Sequence, residues 1–271
     1  MIVVSGATGN VGRPLVQALA AAGEQVTAVS RREAQVPDGV THLRADLAEP
    51  ETMRKALDGA DAVFLLVAGD DPYGLLDAAK AGGVRRVVLL SSQGAGTRPD
   101  VYRHPRAFEE AVQRSGMDWT VLRPGGFHTN AFAWAETIRA HRTAAAPFAD
   151  VALPSIDPAD IAEVAAAVLR EEGHAGRTYE LTGPAAIAPR ERARAIGDAL
   201  GEPVAFVEQT REEAREQMLR FMPEPVVEGT LAILGEPAPA ERQVSPDVER
   251  VIGRAPHTFA DWAARNVAAF R

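Results

Sequence analysis

Three glycines stand three apart in 6-GATGNVG-12, directly after the apolar run 2-IVV-4 and just before the helical pattern 15-LVQALAAAG-23. Glycine lets a chain turn tightly off a strand and lets its backbone approach a pyrophosphate. The N–H groups and dipole of the following helix then attract the anion. The spacing is G-x-x-G-x-x-G, not the G-x-G-x-x-G of the usual dinucleotide fingerprint, so a glycine-rich structural turn is the alternative. Its context, strand before and helix after, is the one a nucleotide requires. About 20 residues on, an NAD-binding chain carries an acidic residue for the ribose 2′-hydroxyl. This chain instead has 29-VSRRE-33. The guanidinium groups of Arg31 and Arg32 suit a 2′-phosphate and can stack on adenine, which predicts NADP(H); two solvated arginines are the alternative. Asp46 either accepts from the adenine amine or shapes a turn.

Other residues are candidates for substrate chemistry. His128 and Asn130 follow the turn 123-RPGGF-127, where they can point into a substrate cleft; a partly buried histidine satisfied by backbone is the alternative. Tyr73 lines the entrance or packs. Asp157 and Asp160 resemble a paired carboxylate but read better as a loop residue and a helix-start residue. No metal site is expected: the chain has no cysteine and no His-x-Glu pattern. No Gly-x-Ser-x-Gly motif occurs either.

The elements that must hold these residues alternate. Strands are predicted over 2–5, 25–30, 41–45, 61–67, 85–92 and 118–124, several of them apolar throughout, as in a parallel sheet covered on both faces. Helical windows at 13–22, 50–58, 72–82 and 103–115 separate them, a pattern that predicts an α/β Rossmann fold, a doubly wound parallel sheet. Beyond Pro124 the rhythm changes. An extended piece and a helix from Pro158, a strand at 178–183, a helix 189–200, a strand 204–207, a helix 210–221 and a last helix 258–270 form a small mixed α/β C-terminal lobe. The stretches 222–229 and 235–241 read as proline-bearing breaks. The expected division is a cofactor domain over 1–125, with 151–175 returning to it, and a substrate lobe over 126–150 and 176–271.

A net charge of −8 argues against nucleic acid as a partner. The longest clear apolar run, 60-ADAVFLLVAG-69, falls short of the roughly 20 residues a membrane helix needs. The first strand begins at Ile2, which leaves no room for a signal peptide, so a cytoplasmic protein is expected.

The ordered set GATGNVG at 6–12, SRR at 30–32, AD at 45–46, 115-SGMDWTVLRPGGFHTN-130, 157-DPADIAEVAAAVL-169, 176-GRTYELTGP-184 and 248-VERVIGRAPHTFADWAARN-266 resembles the NmrA-like branch of the atypical short-chain dehydrogenases/reductases. The resemblance implies that Gly6, Thr8, Gly9, Asn10, Val11 and Gly12 hold the pyrophosphate and that Arg31 meets the 2′-phosphate. It implies that Asp46 and Leu47 flank adenine and that Val67 and Ala68 border the adenosine ribose. Ser91 and Ser92 would face the nicotinamide, with Pro124 and Phe127 closing over it. Family members are monomers or dimers. They include NADPH-dependent quinone reductases, tailoring enzymes of secondary metabolism and dinucleotide-binding regulators.

Short-chain dehydrogenases protonate carbonyls through a Tyr-x-x-x-Lys pair. Here 102-YRHPR-106 offers Tyr102 and, one helical turn on, Arg106. Arginine stays protonated and is no equivalent of lysine. Pro105 suggests that the helix starts there, leaving Tyr102 and His104 on the preceding loop as candidate proton donors. The expected activity is hydride transfer from NADPH to a quinone, enone or polyketide-like small molecule. A non-redox tailoring enzyme or isomerase, and an NADP(H)-sensing regulator without turnover, are the alternatives.

Overall fold

A computed structural model describes residues 1–271. The chain divides into two units, the first made of Met1–Pro124, Pro158–Leu181 and Asp247–Arg254, the second of Gly125–Asp157, Thr182–Pro246 and Ala255–Arg271. The first unit opens with β1 (Ile2–Val4), α1 (Gly12–Ala21), β2 (Val26–Ser30), β3 (Thr41–Arg44) and α2 (Pro50–Leu57). It continues through β4 (Ala62–Leu66), α3 (Pro72–Ala81), β5 (Arg86–Leu90), α4 (Gln93–Thr97), α5 (Arg103–Arg114) and β6 (Asp118–Pro124). The second unit then contributes α6 (Ala135–His141) and β7 (Thr143–Pro147) before the chain returns with α7 (Pro158–Arg170) and β8 (Arg177–Leu181). Next, in the second unit, come α8 (Pro189–Leu200), β9 (Ala205–Gln209), α9 (Arg211–Met218) and α10 (Glu224–Gly235). The short α11 (Asp247–Ile252) belongs to the first unit and α12 (Phe259–Arg265) to the second.

Seven parallel strands in the order β3-β2-β1-β4-β5-β6-β8 form the sheet of the first unit. Successive residues of a strand face opposite sides. Val3, Val63, Leu65, Val87, Leu89 and Val121 therefore share one face, where they pack with Met53 and Leu57 of α2, Leu75 of α3, and Phe108 and Val112 of α5. The opposite face is covered by α1 and α7. Every residue of β1 and β2 is buried, the polar Thr27 and Ser30 of β2 included, which explains why neither run alternates between a core and a solvent face. Each valine or isoleucine among them contributes on the order of 1.5–3 kcal/mol through burial. No helix is long and apolar enough to cross a membrane.

In the second unit β7 and β9 make a parallel pair, with Ala144 opposite Phe206. Its core gathers Ile138, Ala193, Ile196, Phe259, Trp262 and Phe270. Thr258 caps α12 as its side chain predicts, accepting from the Asp261 N–H at 3.1 Å. The helix ends at Arg265, and a 3₁₀ turn carries Phe270 into the core.

Five expectations need correction. The strand at 177–181 is not part of the lobe but the seventh strand of the sheet, with Arg123 paired to Glu180. Asp247–Arg254 likewise joins the first unit. Residues 224–235 form a helix rather than a break, because Pro225 occupies its first turn, where no N–H is needed. For the same reason α5 begins at Arg103 and simply accommodates Pro105. Finally, α4, α6 and β7 were not expected: they are only 5–7 residues long and too short for a periodic signal.

Candidate functional site

The glycine loop leaves the carboxyl end of β1 and is tied down on both sides. The Ala7 N–H donates to the Val29 carbonyl of β2 at 3.0 Å, and the Ser5 hydroxyl accepts from the Leu66 N–H of β4 at 3.2 Å. Gly6 has φ +61°, and a Cβ there would lie 2.2 Å from Leu66 Cδ1. A Cβ on Gly12 would lie 2.2 Å from the Gly6 carbonyl oxygen, so helix and loop touch through bare backbone. The Gly9 N–H closes the turn on the Gly6 carbonyl at 2.9 Å. Thr8, Gly9 and Asn10 are exposed, whereas Val11 is buried. Val11, at the N-cap of α1, supplies no side-chain cap, and no acidic residue stands in the first turn. This is a backbone cradle at an uncapped positive helix end, and it fits a diphosphate.

At the end of β2 the Ser30 hydroxyl donates to the Arg32 carbonyl at 2.6 Å, and His42 Nε2 lies 2.8 Å from the Ser30 hydroxyl oxygen. The backbone of the arginine turn is thus fixed, while both guanidinium groups are exposed and neither pairs with a carboxylate. Asp46 is half-buried and one of its oxygens accepts from the Ala48 N–H at 3.0 Å, so the turn reading holds for that oxygen. Leu47 is a core residue, 9% exposed. Val67 and Ala68 follow β4, half-buried. The next residue, Gly69, approaches Ala48 so closely that a Cβ would come within 2.6 Å of its Cα.

At the carboxyl ends of β5, β6 and β8 lies a charged cluster that sequence reasoning did not anticipate. Glu109 of α5 is buried, and Arg123 forks onto it with Nε to Oε1 at 3.0 Å and Nη2 to Oε2 at 2.7 Å. Arg123 Nη1 reaches Glu180 Oε1 at 3.3 Å. Burial, opposed by Arg123, holds the Glu180 carboxyl above its ordinary pKa, and its Oε2 is buried without a partner. The signal was available: Arg123 sits inside an apolar strand and Glu109 beside Phe108 on the buried face of a helix. Ser91 and Ser92 are half-buried and locally engaged. Ser91 donates to Glu109 Oε1 at 2.5 Å, and Ser92 caps α4 by accepting from the Gly94 N–H at 3.2 Å.

Around the start of α5, Tyr102 is the N-cap residue, and its ring lies against Gly94, where a Cβ would meet it at 2.6 Å. His104 is on the helix rather than a loop. Its Nε2 sits 2.6 Å from the Gly69 carbonyl, which requires the proton on that nitrogen. Arg106 is exposed and pairs with Glu110 at 3.2 Å. Tyr73, in the first turn of α3, is 53% exposed. Pro124, the last residue of β6, is buried.

Phe127, His128 and Asn130 belong to the second unit. The backbone of Phe127 bridges Ile156. His128 is 1% exposed and its Nδ1 lies 2.9 Å from the Ser155 hydroxyl, with the Phe259 ring 5.1 Å away. Its Nδ1 is thus engaged by a side chain, that of Ser155. Asn130 is exposed.

A doubly wound parallel sheet whose first strand ends in this cradle defines a dinucleotide-binding protein of the Rossmann class. Comparison with known proteins makes the assignment more specific. Residues 6–172 match the NAD(P)H-binding family, and the chain belongs to it. It is 36% identical to (4-alkanoyl-5-oxo-2,5-dihydrofuran-3-yl)methyl phosphate reductase of Streptomyces griseus, over 100% of this chain and 99% of the relative. It is 34% identical to NAD(P)H azoreductase of Xenophilus azovorans, with the same coverage. An NADPH-dependent quinone oxidoreductase from Escherichia coli superposes with a TM-score of 0.82 at 25% identity, over 98% of this chain and 99% of that one. The protein is an NAD(P)-dependent oxidoreductase with the fold of the atypical short-chain dehydrogenases/reductases.

Proposed function

We propose that the protein uses NADPH to reduce an electron-poor conjugated small molecule, such as a quinone, an enone or a polyketide-like compound containing one. The observation that carries the reading is the state of the start of α5. Where a tyrosine–lysine pair would supply a proton, Arg106 is engaged with Glu110, and His104 spends its Nε2 proton on the Gly69 carbonyl. The only lysines are Lys55 and Lys80. An acceptor that takes hydride readily and leaves a delocalised anion needs no strong acid beside it, since water can protonate the product. The chain's task is then to bind and orient. Two relatives carry acceptors of this kind in their names, an azo group and a 2,5-dihydrofuran ring bearing oxo and alkanoyl substituents.

Residues 6–12 would hold the diphosphate on backbone N–H groups, and Arg31 and Arg32 would hold the 2′-phosphate. The dinucleotide, when bound, supplies the hydride. The preference for the phosphorylated cofactor rests on two guanidinium groups that no carboxylate of this chain neutralises.

The test is NADPH and NADH consumption with a panel of quinones, enones and simple ketones, using wild type and Arg31→Glu. Quinones and enones should turn over and simple ketones should not. Arg31→Glu should weaken NADPH by about 10–100-fold, the range of a charge-assisted contact, and NADH by far less. Turnover of simple ketones, or equal weakening of both cofactors, would contradict the proposal.

A further inference from the structure

Arg190 and Arg192 stand at the start of α8 and are placed in opposite ways. Arg190 pairs with Asp150 at 3.0 Å, a contact that raises its pKa. No carboxylate acts on Arg192. Burial alone pushes its pKa down to about 10, and it stays a cation at neutral pH. The acid beside it in sequence, Glu191, turns back to accept the Ala188 N–H at 2.8 Å.

The guanidinium is nonetheless held in place. Its Nη2 donates to the Ile187 carbonyl at 3.2 Å and to the Leu153 carbonyl at 3.5 Å. The centre of the Phe259 ring lies 5.9 Å from its Cζ. Neither carbonyl needs it, because Leu153 and Ile187 already exchange N–H···O bonds at 3.1 and 3.4 Å. A guanidinium carries five N–H groups. With Nη2 given to these carbonyls, the N–H of Nε and those of Nη1 have no acceptor in the chain. Nε is enclosed, whereas Nη1 is open. A side chain this long can ordinarily carry its charge out into water. Here it is kept half-buried, and a cation so placed is costly until an opposite charge joins it. Every group named belongs to the second unit.

We infer that Arg192 is the receptor for an oxyanion on a small-molecule ligand, a phosphate monoester or a carboxylate, which meets the guanidinium at Nη1 and supplies the missing counter-charge. An oxyanion brings acceptors as well as charge, and so answers both the open N–H groups and the lone cation. A neutral ligand leaves the charge uncompensated. The inference stands apart from the dinucleotide reading, whose glycine loop belongs to the first unit.

Calorimetric titration of the full chain with phenyl phosphate, benzoate and neutral phenol tests it. Saturating NADP⁺ is present throughout, so that phosphate sites of the dinucleotide are filled. At least one of the two anions should bind and phenol should not; the tighter anion identifies the group. Arg192→Gln should weaken that anion by about tenfold or more, the scale of a charge-assisted bond, and leave NADP⁺ affinity unchanged. Arg192→Met fills similar space without charge and should give the same result, which keeps the test decisive if the glutamine variant fails to fold. The bound anion should raise the urea midpoint of wild type and not that of either variant. Wild type that binds neither anion, or anion binding that survives in a variant, overturns the proposal. So does a parallel loss of NADP⁺ affinity, which would assign the guanidinium to the dinucleotide. Failure of wild type to bind NADP⁺ counts against the dinucleotide reading alone and leaves the comparison at Arg192 intact.

Discussion

Glu180 shows how one residue in the cluster carries a cost that its neighbours only partly offset. Burial is the main cause of its raised pKa, and the carboxylates of Glu109 and Asp247 push the same way against the single guanidinium of Arg123. An acid whose folded pKa exceeds its unfolded value destabilises the fold once pH rises past the unfolded value, near 4.5 here; at lower pH it is protonated in both states and contributes nothing. Glu180→Gln is therefore expected to raise the urea midpoint at pH 7.5 and to match wild type at about pH 3, well below the unfolded value. Arg123 keeps its fork on Glu109 in the variant. An equal difference at both pH values would mean that the charge is not the cause.

The glycine loop is an element-scale device, since what it requires is contact between the start of α1 and the carbonyl of Gly6. Gly12→Ala puts a methyl 2.2 Å from that oxygen, backbone against backbone, so the helix must shift. A loss of about 1–3 kcal/mol in stability is expected, as for other overpacked sites. Dinucleotide affinity should fall further than that of any surface variant of α1. Calorimetry and urea unfolding check both. This element was legible in the sequence because three requirements follow one another between Ile2 and Ala21: an apolar strand, glycines and an amphipathic helix. Most of the first six strands were legible for the same reason, as short apolar runs beside a helical window; β3, Thr41–Arg44, is the exception, being polar and partly exposed. The seventh was misassigned, because 177-RTYEL-181 is a sheet-edge strand with polar residues that nothing local ties to β6. The candidate site was legible where it is built of backbone and much less so where it is built of side chains. Glu109, Arg123 and Ser91 meet only through α5, β6 and β5, and their spacing in the sequence carries no period. The large apolar residues of the second unit are likewise split among separate contacts. Phe132 packs with Trp262 and Phe270 and Trp134 with Phe206, while Phe148 and Met222 join a separate cluster around Leu231; Phe221 is 74% exposed.

At the scale of the molecule, the chain builds each unit from segments far apart in sequence, and a carboxylate–guanidinium pair fastens each return. In the second unit Asp157, 3% exposed, pairs with Arg265. In the first, Asp160 in the opening turn of α7 is fully buried and pairs with Arg254 at 2.8 Å, and Arg254 also reaches Glu163 at 2.7 Å. The helix dipole assists Asp160 but does not replace a counter-charge. Asp160 thus makes the packing of α7 on the sheet depend on a residue near the chain's end. Arg254→Ala leaves that carboxylate buried without its cation, and about 3 kcal/mol of stability should be lost, the lower range for breaking a buried pair. Arg254→Lys should recover part of it, because a point charge restores the Coulomb attraction but not the simultaneous reach to Glu163. The double variant Asp160→Asn/Arg254→Ala should be more stable than Arg254→Ala alone, since it removes the uncompensated charge. Urea unfolding of the three variants measures all of this. A double variant no better than the single one would show that Arg254 acts by packing its stem and not by neutralising Asp160.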